Sequence, residues 1–377
     1  MNPRRAWAIA RKEFLHVLRD PRSLGMAIAM PMLLLMLYGY ALTLDVDNVP
    51  LVVWDQSQTP ASRDFISEFG GSRYFSIRGY GWNYPELERG IDTGRALAAL
   101  VLPRDFADQI QSGRPASVQL IVDGSDSNTA TLAVGYADAI THAYSQSLSL
   151  REIQRLGGQA QRAPVDFRPR VWFNPELESR NYIIPGLIAV IMMVIAALLT
   201  SLTVAREWER GTMEQLISTP VTSRELILGK LLPYLTIGVA DVVLAALLGQ
   251  FLFRVPLRGS VVLVLLSAGV FLVGTMALGI LVSVVARNQL MANQAAMVLT
   301  FVPSFLLSGF IFPISNMPVV VQWVTYLVPA RYFIALLKAI YLKGVGLAAL
   351  VADGVLLVVY AASMILLAVG IFKKKLV

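Results

Sequence analysis

The residue types that most often carry enzyme chemistry are sparse in this sequence. It has no Cys, and its two His residues, His16 and His142, are far apart. A thiolate nucleophile, a thiolate metal site and a cluster of His ligands are therefore excluded. The pair Gly229-Lys230 is not part of a phosphate-binding loop, because Arg224 stands where that loop needs its first Gly and no Ser or Thr follows the Lys. The chain is therefore predicted to have no ATP site of its own.

One acidic residue, Asp241, lies in the middle of a long apolar run. A charged Asp at the centre of a membrane helix costs about 2.5–3.5 kcal/mol, so it needs a partner, a proton or water. Asp241 could belong to a proton or cation path. The other interpretation, which we favour, is a protonated or hydrogen-bonded Asp at a contact between helices.

A second set of candidate residues lies in the apolar run at 291–312. Asn293 could line a substrate path, and Met297, Phe301 and Phe305 are candidate contacts for an apolar substrate. Hydrogen bonds between helices, each worth about 0.6–2 kcal/mol, and ordinary packing or lipid exposure are the alternatives.

Long apolar runs dominate the chain: 56% of its residues are hydrophobic and 15% are charged, whereas about a quarter are charged in soluble domains. Each run is long enough to cross about 30 Å of hydrocarbon as a helix. The sequence predicts an α-helical polytopic membrane protein with six transmembrane helices, at residues 23–44, 181–205, 231–253, 260–286, 291–312 and 349–372. A cleaved signal peptide is the alternative for the first run, but signal-peptide cores span only about 7–15 residues.

The stretch between the first two runs, 45–180, is soluble in composition. It holds thirteen Arg, no Lys and seventeen acidic residues, whereas the rest of the chain has nineteen basic and eight acidic residues. Short apolar runs at 51–54, 97–102 and 118–122 are typical of buried strands, and a helical pattern follows from Ser127 to about Leu156. Strands that alternate with helices predict a small α/β domain inserted between the first two spans.

The distribution of Lys and Arg predicts the orientation. The segments 1–22, 206–230 and 373–377 are rich in basic residues, so the positive-inside rule places them, and both termini, in the cytoplasm. The insert then lies outside the cytoplasm, and the absence of Cys fits an exported domain of a bacterial envelope protein. Residues 1–22 predict an amphipathic helix in the interface of the lipid bilayer, and 313–348, cut by Pro and rich in aromatic residues, predict re-entrant helices in the outer leaflet. Nucleic-acid binding is a poor interpretation, because the basic residues flank apolar runs and do not form a patch on a soluble face.

The segment 206–230 carries the main functional signal. Gly211-Thr212 breaks the preceding helix and Thr219-Pro220 ends a short one, with Thr212 and Ser223 predicted as caps. The plain alternative is a solvated, charged loop. A loop that needs only solubility does not require two breaks around an apolar turn, so we interpret this elbow as a docking surface for a cytosolic partner.

These motifs, in this order, resemble the type-two ABC exporter permease family, in its bacterial multidrug-exporter branch. The segments that carry the resemblance cover nearly the whole chain: Arg19-Asp20-Pro21, Asp123-Gly124-Ser125, Trp172-Phe173-Asn174-Pro175, Ile184-Pro185-Gly186, Arg206 to Glu214, Gly229 to Tyr234, Arg287-Asn288-Gln289, Ser308 to Pro313 and Pro329 to Phe333.

The resemblance implies a permease subunit that dimerises with itself or with a sister permease. It implies a separate ABC ATP-binding subunit, which holds ATP and Mg and docks at the elbow, and a periplasmic adaptor (membrane fusion) protein; this chain would bind no cofactor. In that family the elbow is the coupling helix, and the amino-terminal helix also touches the ATPase. The matching coupling positions are Glu207, Glu209, Arg210, Gly211, Thr212, Glu214 and Asp20.

We therefore expect a permease that moves a hydrophobic or amphiphilic substrate, drug-like or lipid-like, out of the cytoplasm or the inner membrane by alternating access. No covalent chemistry is expected of the chain. Two other classes stay open: an ion-coupled secondary transporter that uses Asp241, and a membrane sensor whose external domain binds a ligand.

Overall fold

A computed structural model describes residues 2–42, 47–155, 172–174 and 178–372, without the side chains of residues 22, 23, 152–155 and 217. The predicted tail, 373–377, lies outside the described residues. The helices are α1 (Pro3–Leu18), α2 (Pro21–Ala41), α3 (Pro60–Gly70), α4 (Tyr84–Asp92), α5 (Phe106–Gln111), α6 (Ser127–Arg155), α7 (Ser179–Glu209), α8 (Thr212–Ser218), α9 (Ser223–Leu247), α10 (Val261–Ala286), α11 (Gln289–Leu306), α12 (Val319–Thr325), α13 (Pro329–Lys338) and α14 (Leu347–Ile371). The strands are β1 (Val49–Asp55), β2 (Phe75–Tyr80), β3 (Ala98–Leu102) and β4 (Gln119–Val122). The chain forms two compact units, Met1–Thr43 with Arg170–Val377, and Leu44–Pro169.

Among the described residues, five helices are long and apolar enough to cross a membrane: α2, α7, α9 with its π-helical continuation to Leu252, α10 and α14. The bent pair of α12 with α13, whose axes meet at 82°, makes a sixth if it counts as one span. The predicted fifth span, 291–312, needs correction, because α11 ends at Leu306 and residues 307–312 form bends. The Asn and Gln residues in the first turns of α11 also lower its mean hydropathy.

Helix α7 is the centre of the first unit. It packs on α2, α9, α10, α11 and α13, and it is the most deeply buried of the candidate spans. Small residues allow such close approach: a Cβ at Gly279 of α10 would collide with the Thr200 hydroxyl of α7. One turn further along α10, the Ser283 hydroxyl oxygen accepts the Val204 and Ala205 N–H groups at 3.0 and 2.9 Å. These contacts fix α7 against α10.

Four helices of this unit contain a proline in their interior: Pro31 in α2, Pro185 in α7, Pro233 in α9 and Pro303 in α11. Proline has no N–H, so each helix lacks one backbone hydrogen bond at that turn. Membrane helices tolerate the loss where neighbouring groups take up the freed carbonyl.

The second unit is built on a four-stranded sheet in the order β2-β1-β3-β4. Strand β1 runs parallel to β2 and β3, and β4 is antiparallel to β3. Helices α3, α5 and α6 pack on one face over Leu51 and Leu100, and α4 packs on the other over Val101. The structure contains the strands expected at 51–54, 97–102 and 118–122 and the helix expected from Ser127.

The turn before α6 is held by carboxylates. Asp123 Oδ1 accepts the Ser125 N–H at 2.9 Å. The Thr129 hydroxyl and neighbouring N–H groups donate to Asp126, and these hydrogen bonds hold the pKa of its carboxyl below the usual range. Both side chains are therefore occupied in local structure.

Candidate functional site

The segment between α7 and α9 forms an elbow with two sharp turns. Helix α7 ends at Glu209, and Gly211 adopts a left-handed conformation with φ of 69°, which favours Gly. The predicted cap at Thr212 is wrong by one residue. Gly211 is the cap position, without a side-chain bond, and Thr212 is the first residue of α8.

The start of α9 is tied to both ends of the first unit. Thr222, and not the predicted Ser223, caps this helix in a reciprocal capping box with Glu225. Glu225 Oε1 also accepts the Asn2 N–H at 2.5 Å. The Ser223 hydroxyl donates to the Phe372 carbonyl at 3.1 Å.

The predicted coupling residues differ in their exposure. Those that face solvent are Glu209, Arg210, Gly211 and Glu214. Thr212 and Asp20 are half-buried, whereas Glu207 is only 7% exposed. The elbow therefore presents charges of both signs outward and keeps one carboxylate inside.

Glu207 belongs to a buried ion-pair group that joins α1, α7 and α9. Lys230 is 1% exposed, and its Nζ lies 2.9 Å from Glu13 Oε1 and 3.1 Å from Glu207 Oε2. Lys12 Nζ lies 3.1 Å from Glu207 Oε1. Two carboxylates and two ammonium groups balance in charge, and Lys12 is the exposed member. Removal of Lys230 would leave the two buried carboxylates without their shared cation.

Helix α1 lies directly against the elbow. The Arg5 guanidinium donates to the Pro220 carbonyl at 2.6 Å. Gly229 lets α1 and α9 approach so closely that a Cβ there would meet Ile9 and the Ala6 carbonyl. Together with the ion-pair group, these contacts hold α1, the elbow and the start of α9 as one assembly.

The end of α7 is also joined to the start of α11. Glu209 Oε1 accepts the Gln289 N–H at 2.8 Å, and the Gln289 side-chain amide donates to the other carboxylate oxygen. The Arg287 guanidinium lies 4.9 Å from the centre of the Trp208 ring, within cation–π range. An exposed elbow residue therefore touches the helix that follows α10.

A cavity of about 580 Å³ lies between α2, α7 and α11, a size typical of ligand sites. Four of the predicted path residues, Asn293, Met297, Phe301 and Phe305, line it. Asp241 does not line it. That residue is 1% exposed in α9, and its Oδ1 has no hydrogen-bond partner among the described residues.

Aromatic side chains close the end of the cavity that is remote from the elbow. Tyr38 and Phe305 meet edge to face at 6.3 Å, and Phe305 meets Phe310 in the same way at 5.6 Å. The Phe310 ring lies against Gly186 so closely that a Cβ there would collide with it. The Tyr182 hydroxyl lies 3.1 and 2.6 Å from the Gly309 and Phe310 carbonyl oxygens, which fixes the bend after α11.

The match to a family model decides the family of this chain. Residues 21–372 match the model described as ABC-2 family transporter protein. The chain belongs to the ABC-2 transporter family. The resemblance inferred from the motifs is therefore confirmed.

Individual members of the ABC-2 family match over most of their length. "Probable multidrug ABC transporter permease YbhS" of Escherichia coli is 40% identical over 344 residues, which is 90% of this chain and 89% of the relative. "Probable multidrug ABC transporter permease YbhR" of the same organism is 31% identical, with 91% of each chain covered. "Inner membrane transport permease YhhJ" of Escherichia coli is 27% identical over 79% of this chain and 78% of its own.

Three members of the ion-pair group in this ABC-2 protein, Lys12, Glu13 and Lys230, were not among the functional residues predicted from the sequence. A signal was available, since Glu13 follows Ala6, Ile9 and Ala10 on the face of α1 that is buried. The described part of the chain has no group of three or more His, Asp or Glu side chains that could hold a metal ion.

Proposed function

We propose that this chain is the membrane-spanning permease subunit of an ATP-driven ABC exporter, which moves a hydrophobic or amphiphilic substrate out of the cytoplasm or the inner membrane. The relatives that match nearly its full length carry the names of ABC transporter permeases. ATP hydrolysis belongs to a separate subunit, because the sequence lacks a phosphate-binding loop.

The observation that carries the proposal is the buried ion-pair group beneath an exposed elbow. The ATPase docks on Glu209, Arg210 and Glu214, which face solvent. Its movement reaches the membrane helices through Glu207 and Lys230, which are buried and joined at 3.1 Å. Glu207 thus acts by holding α7 to α9 and not by touching the partner.

Charge reversal at the elbow tests the docking step. With Glu209→Lys and Glu214→Lys together, we expect at least about tenfold weaker binding of the ATPase and loss of transport. Asp138→Lys, an exposed change in α6, is the matched control and should leave both intact. Unchanged ATPase binding by the elbow variant would disprove this docking surface.

The chain crosses the membrane six times in this proposal. Helix α11 with residues 307–310 forms the fifth crossing, because it runs along α7 from the Glu209 end to the Tyr182 end. The pair of α12 with α13 is re-entrant. The basic segments 1–22 and 206–230 are cytoplasmic, which makes the insert periplasmic in a bacterial inner membrane.

The absence of Cys makes this topology simple to test. Ser145→Cys in the insert and Ser218→Cys at the end of α8 each introduce a single thiol on an exposed residue. In intact inner-membrane spheroplasts, an impermeant maleimide should label the first and not the second. The reverse pattern would overturn the orientation.

The functional unit is a dimer, with itself or a sister permease, which alternates between inward and outward access, together with an adaptor protein on the periplasmic side. The cavity between α2, α7 and α11 is the substrate path. Co-purification from membranes, with quantification of each subunit, tests the composition, and a stable active complex with one permease copy would contradict it.

A second candidate function follows from Asp241, which is buried with an oxygen that lacks a hydrogen-bond partner among the described residues. A proton- or sodium-driven transporter would use such a group. Reconstitution decides between the two. Transport by this chain alone, driven by an ion gradient and abolished by Asp241→Asn, would support the second candidate and overturn the first.

A further inference from the structure

The cavity changes in chemistry along its length. At the elbow end it is lined by His16, Asp20, Arg206 and Asn293. Arg206 Nη1 lies 3.3 Å from His16 Nε2, so these two side chains are in contact. The remaining lining residues are aliphatic, Met or aromatic, and the far end is closed by Tyr38 and Phe305.

The length of the apolar part matches one leaflet. Asn293 and Phe305 lie twelve residues apart on α11, which corresponds to about 18 Å along a helix. The hydrocarbon of a bilayer is about 30 Å thick, so one leaflet contributes about 15 Å. A ligand with its polar group at Asn293 would place an extended tail of one leaflet's depth against Phe305.

The cavity is open along its side. Met26 and Met30 of α2 and Met297 of α11 line it and are 67%, 46% and 51% exposed. An opening flanked by Met side chains is adaptable in shape. In a membrane, such an opening lets an amphiphile enter from the lipid without passage of its tail through water.

We propose that this cavity binds a single-tailed amphiphile with a zwitterionic head, the head at the elbow end and the tail directed toward Phe305. The charges at the polar end support the zwitterion. Asp20 and Arg206 are half-buried and carry opposite charges, so a head that carries both charges is complementary to this end of the cavity. The transport of this ligand outward from the cytoplasmic leaflet rests on the proposed function; the binding mode does not.

Photolabelling tests the binding mode directly. Hexadecylphosphocholine with a diazirine at the tail end and the same lipid with a diazirine on the head are added to the exporter complex in nanodiscs. The tail probe should label residues around Tyr38 and Phe305, and the head probe residues around Asp20 and Asn293. Labelling of the same peptides by both probes, or the reverse assignment, would overturn the proposal.

A headgroup series tests the ligand class. Hexadecyl chains with phosphocholine, trimethylammonium or sulfate heads are compared by stimulation of ATP hydrolysis, at equal mole fraction in the membrane, because the bilayer has already removed each tail from water. Phosphocholine should be effective at about tenfold lower mole fraction. Stimulation by the cationic head alone would disprove the ligand class and leave the proposed exporter intact, whereas an ATPase that fails to bind the chain would disprove the exporter.

Two variants separate the ends of the cavity. Phe305→Trp fills the far end and should shift the preference from hexadecyl to dodecyl phosphocholine. Asn293→Leu removes a polar group at the other end and should weaken head selectivity without a change in preferred tail length. If both variants leave head and tail preferences unchanged while Met297→Cys cross-links two copies of the chain, the opening is covered by a second copy and the proposal is wrong.

Discussion

The two ends of helix α7 are held by different kinds of contact. At the elbow end, Glu207 lies in the buried ion-pair group with Lys230 and Glu13. At the other end, the Phe310 ring lies on Gly186, and the Tyr182 hydroxyl donates to backbone carbonyls. Separation of the ion pairs leaves buried charge unpaired, whereas opening of the other end loses apolar contact and neutral hydrogen bonds but leaves no charge unpaired. One end is therefore suited to transmit movement and the other to open.

The largest effect is expected at the elbow end. Lys230→Met leaves the Glu13 and Glu207 carboxylates buried without their shared cation, which costs about 3–5 kcal/mol. Thermal unfolding of the purified chain in nanodiscs should show a large fall in Tm, or no folded protein at all.

Lys12 provides the matched control for that loss. Its side chain is 58% exposed although it pairs with the same Glu207, so Lys12→Met should cost about 0–1 kcal/mol. Replacement of Glu13, Glu207 and Lys230 together by Met should restore the Tm but not the coupling of ATP hydrolysis to transport. Equal losses from Lys12→Met and Lys230→Met would contradict the central place of Lys230.

A smaller loss is expected where Phe310 meets α7. Gly186→Ala places a methyl group where the ring lies, and such overpacking costs about 1–3 kcal/mol. The same change at Gly269 of α10 has open space around it and should be neutral. In a double-mutant cycle read by Tm, Phe310→Ala should cancel most of the cost of Gly186→Ala, and strict additivity would argue against the contact.

The hydroxyl of Tyr182 should contribute less than the ring contact. Tyr182→Phe removes the hydrogen bonds to the Gly309 and Phe310 carbonyls, a change of about 0.5–1.5 kcal/mol. Because the bend after α11 is then held less firmly, we expect a measurable rise in substrate-independent ATP hydrolysis. Tyr40→Phe, at a residue that is 62% exposed, is the control. An equal rise in ATP hydrolysis with Tyr40→Phe would show that the effect is not specific to the Tyr182 hydroxyl.

The smallest effect on stability is expected at the surface of the elbow. Glu209→Gln weakens the charge-assisted bonds to Gln289, and solvent screening keeps the effect on the Tm small at this exposed position. Transport per ATP hydrolysed should nevertheless fall, since α7 and α11 lose their link. A Tm loss as large as that of Gly186→Ala, with coupling intact, would reverse the comparison between the two ends.

The features predicted best from the sequence were those that a local residue pattern determines. The apolar runs located the long helices, and the breaks at Gly211 and Thr219-Pro220 located the elbow. The fifth span was wrong in its outer part, because residues 307–312 are apolar yet form bends that Tyr182 holds from a distant helix. Apolar composition alone cannot distinguish such a bend from a further helical turn.

The pairing of Glu13 with Lys230 was not predictable from the sequence for a related reason. Lys230 and Glu13 are separated by 217 positions. Glu13 lies in the predicted interfacial helix, 1–22, and Lys230 is the last residue of the predicted elbow segment, 206–230. Strand β2 was missed because it is an edge strand that contains Arg78 and Gly79, both unlike a buried apolar run. Glu13, Lys230 and strand β2 are each brought to their partners by tertiary structure, which the pattern of a single sequence does not contain.

The interior prolines give the cavity an uneven stiffness. Pro31, Pro185 and Pro303 lie on three of the helices that line it, and Pro185 and Pro303 are close to the aromatic end. Each proline removes one backbone hydrogen bond from its helix, so the helix bends there at low cost. The ion-pair group holds the charged end in place. The cavity is thus held rigidly by ion pairs at one end and is flexible at the other, where backbone hydrogen bonds are missing. Pro185→Ala would stiffen α7 without the loss of any contact inside the cavity, because Pro185 does not line it.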